Sequence, residues 1–466
     1  MRSTVRALVW TGAIALGASG CLPDLSRFEL VEPLPDAGAP DAGERDAGER
    51  DAGELDGGSN DAGSGDAGQN EMPPVDERCA VTWTALAPGR TDCPGRSVQT
   101  IAAAAAPFLL LDLALARAGD GTLRVFYGDQ LNPDSSVVRA LSFDEGATSA
   151  AIAPVREDVT DDVLGERHGR SLAVATAEDG VTHHLVHWNG SDSGGELLWV
   201  RYEPSGFVGE AEVVARELSP AVAGDVAVLV EPSGHVVVAY YDTVRHRTRA
   251  SRFAVGGART IVDISPAEGT VSEGERGAVA LARHDGLTHA GFQRVMTFTE
   301  SIVVSTHWSI ASWASPSTID GTPRFRLGVG LGMASTGAAG ELVFAYPNVQ
   351  TGDVLVVRRG TSTTPETQHQ VRGLDLEPDI RRYPLVLRSD ARGRLHLLLA
   401  NAQPSRTSLD YHHQHADGTW IVETIASFSA DPDELFFDLV VDGTRPHIVY
   451  SHPVEQTLHY ATVRDE

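Results

Sequence analysis

The chain has 466 residues, a formal net charge of −27 at pH 7 and three cysteines, and 42% of its residues are hydrophobic. A surface this acidic is unsuited to DNA or RNA, because nucleic-acid binding depends on neutralising phosphates with Lys and Arg. We therefore expect no nucleic-acid partner.

Residues 1–20 have the pattern of an export signal. Two arginines precede an apolar run over 7–18 that is too short to span a bilayer comfortably. The segment ASGC at 18–21 resembles the lipobox of bacterial lipoproteins, in which a peptidase cleaves before the cysteine and the sulfur carries diacylglycerol. The resemblance implies lipidation of Cys21. It also implies an anchor in the outer membrane or at the cell surface, because the residue after the cysteine in such lipoproteins indicates the location and is here Leu22 rather than Asp. An ordinary secretory signal with an incidental cysteine is the alternative.

Residues 21–78 are predicted to be a disordered tether that begins at the lipidated cysteine. From Asp36 to Asn70 an Asp opens every pentad, and residues 22–78 contain 16 acidic residues and 4 arginines, a charge of −12. Such a stretch buries too little apolar area to offset its ordering entropy, and its like charges keep it extended. Weak calcium chelation is the alternative, although a five-residue period lacks the ligand spacing of calcium loops.

Two cysteines, Cys79 and Cys93, remain at the start of the folded part, residues 79–466. In an exported protein so close a pair indicates a disulfide that closes a short loop. The alternative, a metal site with two thiolates, lacks further Cys and an adjacent His. We expect no metal and no cofactor. Subtracting +2 for the signal and −12 for the tether leaves −17 for the folded part.

The folded part contains seven similar segments. Each has a Gly-centred turn, then alternating residues with His or an apolar residue on one side, then an aromatic residue or Leu and a polar residue. The turns are anchored at Gly121, Gly180, Gly234, Gly286, Gly340, Gly393 and Thr444. The anchors recur every 51 to 59 residues, and the pattern around each predicts four antiparallel strands. Seven such sheets bury both faces only by stacking, so we predict an all-β, closed seven-bladed β-propeller.

The sequence also predicts how the ring closes. The last repeat supplies Phe437–Val441, His447–Tyr450 and Leu458–Thr462, but no fourth strand. Upstream, Ser97–Ala104 resembles the fourth-strand pattern GTWIVETIA that starts at Gly418. We predict that this upstream segment completes the last blade and removes an exposed sheet edge.

These repeats resemble bacterial propellers with runs such as PSLALDxxGxPHIAYYD and, more distantly, sialidase-like propellers. The resemblance covers about residues 97–466. Sialidase-like propellers carry an Asp-box, Ser-x-Asp-x-Gly-x-Thr-aromatic, between the third and fourth strands. The run SFDEGAT at 142–148 fits it in position, with Ser149 in place of the aromatic residue. Such boxes are structural turns and imply fold rather than activity.

One face of the ring supplies the candidate ligand-binding residues. The resemblance implies a face formed by the loops between second and third strands and between blades. Eight positions after the anchors stand Asp129, Trp188, Asp242, Arg294, Asn348, Asn401 and His452. The segments before the first strands add Arg170, Arg276, Arg326, Arg382 and Glu434. We expect both sets around one mouth, where they would bind a polar ligand. The alternative is that strand ends are polar because they are exposed to solvent.

Histidines recur inside the second strands. His183, His289, His396 and His447 each stand three positions after an anchor, which favours a structural hydrogen bond repeated from blade to blade. Farther along the sixth repeat, His413 and His415 fall on one face of a strand and could share a metal, but no carboxylate partner can be assigned.

These observations predict a monomeric, membrane-anchored lipoprotein. Its propeller would be a non-catalytic binding or scaffolding module for a glycan or a protein. A sialidase-like glycoside hydrolase or a polysaccharide lyase is the alternative that the resemblance implies. Sialidases of that class use an Arg cluster, a Tyr nucleophile with a Glu partner and an acidic proton donor, and the sequence spacing assigns no Tyr–Glu pair.

Overall fold

The structure, a computed structural model, describes residues 96–103, 109–132, 135–144, 155–158, 160, 166–191, 194–218, 225–242, 244–265, 277–297, 300–309, 311–325, 330–336, 341–348, 351–359, 366–372, 374, 383–403, 406–429 and 434–463. The predicted signal peptide, lipidation site, tether and cysteine pair lie outside these residues. No helix in the described ranges is long and apolar enough to cross a membrane.

The described residues form 29 β-strands that group into seven blades. The first strand, β1, is Arg96–Ala103. Blade 1 consists of β2 (Leu109–Arg117), β3 (Thr122–Asn132), β4 (Ser135–Asp144) and β5 (Val155–Asp158). Blade 2 consists of β6 (Glu166–Thr176), β7 (His183–Ser191), β8 (Gly194–Glu203) and β9 (Gly206–Leu218). Blade 3 consists of β10 (Val226–Val230), β11 (His235–Asp242), β12 (Arg247–Ala254) and β13 (Ile261–Asp263).

The remaining blades follow the same plan. Blade 4 consists of β14 (Val279–His284), β15 (Leu287–Thr297), β16 (Glu300–Ser309), β17 (Ser312–Trp313) and β18 (Ser317–Phe325). Blade 5 consists of β19 (Gly332–Thr336), β20 (Glu341–Asn348), β21 (Asp353–Arg358) and β22 (Glu366–Val371). Blade 6 consists of β23 (Leu385–Ser389), β24 (Leu395–Gln403), β25 (Arg406–Gln414) and β26 (Trp420–Phe428). Blade 7 consists of β27 (Phe437–Asp442), β28 (Arg445–His452), β29 (Thr457–Val463) and β1.

The last blade is closed by the first described strand. β1 runs antiparallel to β29 in the register Arg96↔Val463 to Ala103↔Thr457, and the strand order is β1-β29-β28-β27. This pairing confirms the predicted closure and the seven-bladed propeller. It also covers the edge of β29, which would otherwise expose unpaired backbone groups.

The repeated glycine has a backbone reason. Gly121, Gly180, Gly234, Gly286 and Gly393 have φ values between 72° and 90°, in the left-handed region that favours glycine. Each lies in the turn between the first and second strands of its blade. The turn geometry therefore explains why the repeat pattern is centred on Gly.

The core lies between the blades. Seven clusters of buried hydrophobic residues occur among the described residues, and each is formed by two neighbouring blades. The cluster between blades 7 and 1 includes Leu113, Tyr127, Val449 and Tyr460. Apolar burial therefore continues around the whole ring, as stacked sheets require.

Neighbouring blades approach each other closely at their first strands, which lie nearest the axis and which we call the inner strands. A Cβ added to Gly332 of β19 would lie 2.6 Å from the Cβ of Leu387 in β23 of the next blade. Atoms cannot approach so closely, so a larger residue would push the inner strands of blades 5 and 6 apart. Small residues near the axis are thus a packing requirement.

Candidate functional site

The inner strands of the blades surround a cavity along the axis. Its volume is about 570 Å³, and residues of all seven inner strands line it. Among the described strands, and apart from one bridging residue pair between β4 and β6, each inner strand pairs on one side only. Backbone N–H and C=O groups along the other side are therefore available to water or to a ligand. We call this space the axial cavity.

One carboxylate in the axial cavity joins three blades. Asp438 of β27 accepts a hydrogen bond from the N–H of Leu115 in blade 1, at 2.9 Å, and from its neighbour Leu439, at 2.8 Å. Its other partner is the Arg388 guanidinium of blade 6, which donates at 3.2 Å. Burial raises the pKa of Asp438 above its ordinary value, although Arg388 and the N–H of Leu115 oppose this shift. The contacts make Asp438 a link between blades 6, 7 and 1.

A second carboxylate plays a similar part between blades 1 and 2. Asp112 of β2 accepts hydrogen bonds from the N–H of Leu172 in β6, at 2.8 Å, and from the N–H of Leu113, at 2.9 Å. Asp112 also lies close enough to Asp438 to raise the pKa of that group. Both carboxylates are thus held by backbone donors of neighbouring inner strands.

Positive charge lines the cavity toward the ends of the inner strands. Arg283 of β14 and Arg388 of β23 both belong to its lining. Arg388 is 44% exposed and reaches Asp438, while the Arg283 guanidinium is exposed and has no ion pair or hydrogen bond among the described residues. The axial cavity therefore has one engaged and one free guanidinium.

The seven residues that follow the anchors by eight positions lie at equivalent places. Each is near the end of a second strand, and that end adjoins the start of the inner strand. Three backbone hydrogen bonds show this neighbourhood: Tyr241 N–H to Asp225 C=O, Gln293 N–H to Ala278 C=O, and Ser451 N–H to Phe436 C=O. None of the seven lies among the residues that line the axial cavity. The seven residues lie around the starts of the inner strands, farther from the axis than the residues that line the cavity.

Three of these seven residues are buried with a described role. Trp188 is 2% exposed and packs in the core between blades 2 and 3. Asp242 is fully buried and accepts hydrogen bonds from Arg245 and Arg249, at 3.0 and 3.1 Å. Asp129, 3% exposed, pairs with Arg139. The ion pairs of Asp129 and Asp242 hold the second-to-third-strand hairpins of blades 1 and 3, whereas Trp188 packs between blades.

The other four differ in how free their side chains are. Asn348 is buried. Asn401 donates to Asp410 at 2.6 Å, and the Nδ1 of His452 accepts the N–H of Glu455 at 3.1 Å. Arg294 is half-buried and has no ion pair or hydrogen bond among the described residues. Arg294 is therefore the member of the set whose polar group is most available to a ligand.

The arginines before the inner strands are only partly described. Arg170 lies within β6, where its backbone pairs with Trp188. Arg276 and Arg382 immediately precede Gly277 and Tyr383, with which the described parts of blades 4 and 6 begin. Arg326 directly follows β18. Arg276, Arg326 and Arg382 lie outside the described residues, as do residues 145–149 of the Asp-box-like run.

Two of the four recurrent histidines make the same structural hydrogen bond, whereas His289 Nδ1 has no hydrogen-bond partner among the described residues. The Nδ1 atoms of His396 and His447 lie 2.5 and 2.7 Å from the hydroxyls of Tyr411 and Tyr460 on the next strand. Burial lowers the pKa of His396 to about 4, so its ring is neutral near pH 7. No group of three His, Cys, Asp or Glu residues in the described ranges is arranged to hold a metal ion.

The sequence prediction placed candidate site residues in loops and at strand ends, and it did not include charged residues on the inner strands. The lining residues concerned are Asp112, Arg283, Arg388 and Asp438. A usable signal was present, because a lone charged residue interrupts an apolar strand in LLLDLAL, FDLVV and LVLRS. Such a residue must find a partner when its strand is buried.

Comparisons with known proteins yield structural likeness only. No family model and no curated protein matches the chain. Among solved structures, AofleA from Arthrobotrys oligospora is 11% identical, with 76% of this chain and 94% of that chain covered and a TM-score of 0.44. A mutant of the Aleuria aurantia lectin in complex with alpha-methyl-L-fucoside is 10% identical over 63% and 90%, with a TM-score of 0.43. The Hadza microbial sialidase Hz136 is 12% identical over 76% and 65%, with a TM-score of 0.42.

Proposed function

We propose that this protein is an exported, lipid-anchored binding protein whose propeller takes up a carbohydrate at the end of the axial cavity where the inner strands begin. The observation that carries the proposal is the axial cavity itself. Its volume of about 570 Å³ falls in the usual range for ligand pockets, about 300–1,000 Å³. We call its end at the starts of the inner strands the mouth.

The lining suits a ligand rich in hydroxyl groups. Inner-strand backbone groups along the cavity offer donors and acceptors in alternation, and a hydroxyl both donates and accepts. Ser171 and Ser335 add hydroxyls of their own to the lining. A carbohydrate can meet such a surface from many directions without requiring one charged partner.

Arginines strengthen the proposal at the mouth. Arg170 lies within the inner strand β6, and three more arginines precede inner strands in the sequence, namely Arg276, Arg326 and Arg382. Arg294, with its unengaged guanidinium, lies near the end of the neighbouring second strand. Guanidinium groups bind hydroxyls and carboxylates through several N–H donors at once, so arginines at these sequence positions favour a polar or anionic sugar.

Binding is favoured over hydrolysis by the state of the carboxylates. A glycosidase needs one carboxyl group as acid and another as base or nucleophile on either side of the scissile bond. Among the described residues three carboxylates line the axial cavity, Asp225 and two others, and those two, Asp112 and Asp438, are committed to N–H donors of neighbouring blades. Their hydrogen bonds support a role in holding the ring.

The test is a glycan array probed with the purified full-length protein in detergent, run together with a panel of chromogenic glycosides. We expect saturable binding to a small set of glycans and no turnover of the glycosides. Turnover would establish the hydrolase alternative. Absence of binding across the array would overturn the carbohydrate proposal and leave a protein partner as the occupant.

Anchoring is tested separately. Cys21→Ala removes the proposed lipidation site, so we expect the protein to move from the membrane to the soluble fraction and to lose incorporation of labelled palmitate. Unchanged membrane association and labelling in this variant would contradict the lipoprotein assignment.

A further inference from the structure

A second, smaller pocket lies between blades 5 and 6. Its volume is about 150 Å³, and its lining includes Glu341, Arg358, Gln368, Arg392 and Gln414. Glu341 begins β20 and Arg358 ends β21, while Arg392 lies in the turn between β23 and β24. These positions are at the end of the blades opposite the mouth. We call it the blade 5–6 pocket.

The pocket holds one guanidinium that is only partly satisfied. Arg358 Nη1 lies 2.6 Å from Glu341 Oε1, and Nη2 donates to Gln368 Oε1 at 3.2 Å. Its Nε–H is buried and has no hydrogen-bond partner in the described part of the chain. Glu366 also approaches Nη1, but at 3.9 Å and with 64% of its side chain exposed, so solvent screens that contact. A buried N–H without a partner is costly, which makes Arg358 a donor in need of an acceptor.

A second guanidinium stands free beside it. Arg392 is exposed, and its backbone N–H donates to Asp390 at 2.8 Å. Its guanidinium has no ion pair or hydrogen bond among the described residues. The lining thus contains two positive groups and one carboxylate, which is already paired. An incoming anion would meet unbalanced positive charge.

The rest of the lining suits a sugar ring. Val343 and Leu395, 1% and 3% exposed, supply an apolar wall from the two neighbouring blades. The amides of Gln368 and Gln414 supply donors and acceptors for hydroxyls. At about 150 Å³ the pocket is well below the usual volume for a drug-sized ligand, about 300–1,000 Å³, and accommodates one ring rather than an oligosaccharide.

We propose that the blade 5–6 pocket binds a single sugar residue that carries a carboxylate, a hexuronate. The carboxylate pairs with Arg392 and approaches the Arg358 side chain, which is 33% exposed, while the ring lies against Val343 and Leu395 and the hydroxyls meet the two Gln amides. Paired N–H donors on a guanidinium match the geometry of a carboxylate, which is the reason for an acidic sugar rather than a neutral one. The site is distinct from the mouth and goes beyond the function proposed there.

The test is calorimetric titration of the full-length protein in detergent with glucuronate, and with glucose as the neutral match. We expect glucuronate to bind at millimolar concentrations or below and glucose to bind at least about tenfold more weakly, as loss of a charge-assisted contact predicts. Arg392→Ala should weaken glucuronate binding by about tenfold or more. Arg372→Ala is the control, because Arg372 is exposed and its one side-chain hydrogen bond to a described residue goes to Gln370.

Glu341→Gln gives a test of sign. The substitution keeps the shape of the side chain but frees Arg358 from its ion pair and adds one net positive charge to the pocket. Glucuronate should therefore bind several-fold more tightly, whereas a residue with a purely structural role would lower affinity when changed. Melting temperatures measured for every variant separate loss of the fold from loss of the site.

The proposal would be overturned by no glucuronate binding by the wild type, by equal affinity for glucose, or by unchanged affinity in Arg392→Ala. The double variant Arg276→Ala/Arg382→Ala separates this site from the mouth. Its glucuronate affinity should remain that of the wild type. A loss there would place glucuronate at the mouth, supporting the proposed function while refuting the blade 5–6 pocket.

Discussion

Blades 6 and 7 have the same strand order but are assembled differently. In blade 6 the four strands follow one another between Leu385 and Phe428, so each neighbouring pair is a local hairpin. In blade 7 the outer strand β1 ends at Ala103, more than 350 residues before its partner Thr457. Only the second arrangement needs the whole ring to be in place before it forms. Blade 7 thus keeps the ring closed. Blade 6 forms from local hairpins, so changes in the turns at either end of it do not open the ring.

Polar contacts at the seam reinforce this division. Arg117 of blade 1 lies 2.7 Å from Asp442 of blade 7, and Asp438 links the same two blades through the N–H of Leu115. In blade 6, the Arg392 guanidinium has no partner in the described part of the chain. These charged groups are therefore paired at the seam, whereas the Arg392 guanidinium in the neighbouring blade is available to a ligand.

Deletion of residues 96–103 should produce the largest effect on stability. Seven residues of β1 pair with β29, so losing this strand should cost about 5 kcal/mol, or about 6 °C in melting temperature for a domain of this size. The freed edge of β29 should also promote self-association. Calorimetry and light scattering measure both effects.

The control is an equally long deletion in the tether, residues 51–58, which should leave the melting temperature unchanged. If the two deletions behave alike, closure by β1 contributes nothing measurable, and blades 6 and 7 are equivalent.

Acid should weaken the contact between blades 5 and 6 through buried histidines. His412 Nδ1 lies 3.2 Å from His369 Nε2, and burial lowers the pKa of His412 to about 3 and that of His369 to about 4. Both rings stay neutral in the folded state while the unfolded chain takes up protons below about pH 6.5. Stability is therefore complete above that pH and falls as the pH drops toward 4.

His412→Gln isolates this contribution. Between pH 7 and pH 5 the free energy of unfolding of the variant should fall by about 2 kcal/mol less than that of the wild type, as measured by denaturant titration at each pH. A pH dependence identical to that of the wild type would show that His412 is not the group that titrates.

Asp438→Ala should have a smaller effect on the seam, about 1 kcal/mol, because loss of the hydrogen bonds from the Leu115 and Leu439 N–H groups is partly offset by removal of a buried charge. Val386 occupies the equivalent place in blade 6, since Val386↔Leu398 and Asp438↔Val449 are matching pairs. Thermal unfolding of Asp438→Ala and Asp438→Asn measures the loss, and Asn should retain part of the stability through its carbonyl. A rise in stability for both variants would mean that the buried charge costs more than its hydrogen bonds return.

Much of the fold could be predicted from the sequence because its signals are local. The glycine turn needs a positive φ, and alternation marks the strands, so the predicted Thr407–His412 falls within the observed Arg406–Gln414. The fourth strand of blade 4 shows the limit. There a short hairpin strand, Ser312–Trp313, precedes Ser317–Phe325, and both pair with the third strand.

The sites could be predicted less well because their contacts cross between strands and blades. Repeat alignment predicted a strand end at Asp129, which lies three residues before the end of its strand, and it did not predict the pairing of Asp129 with Arg139 on the next strand. The blade 5–6 pocket joins Arg358 and Arg392, whose proximity depends on the packing of two sheets. No period in the sequence carries that information.

The most direct measurement of the central claim is the affinity of the best glycan from the array for the Arg276→Ala/Arg382→Ala protein. Arg216→Ala serves as the control, because Arg216 is 70% exposed on an outer strand. We predict that the double variant binds at least about tenfold more weakly while melting at the wild-type temperature, and that the control binds normally. An unchanged affinity in the double variant would contradict carbohydrate binding at the mouth of the axial cavity.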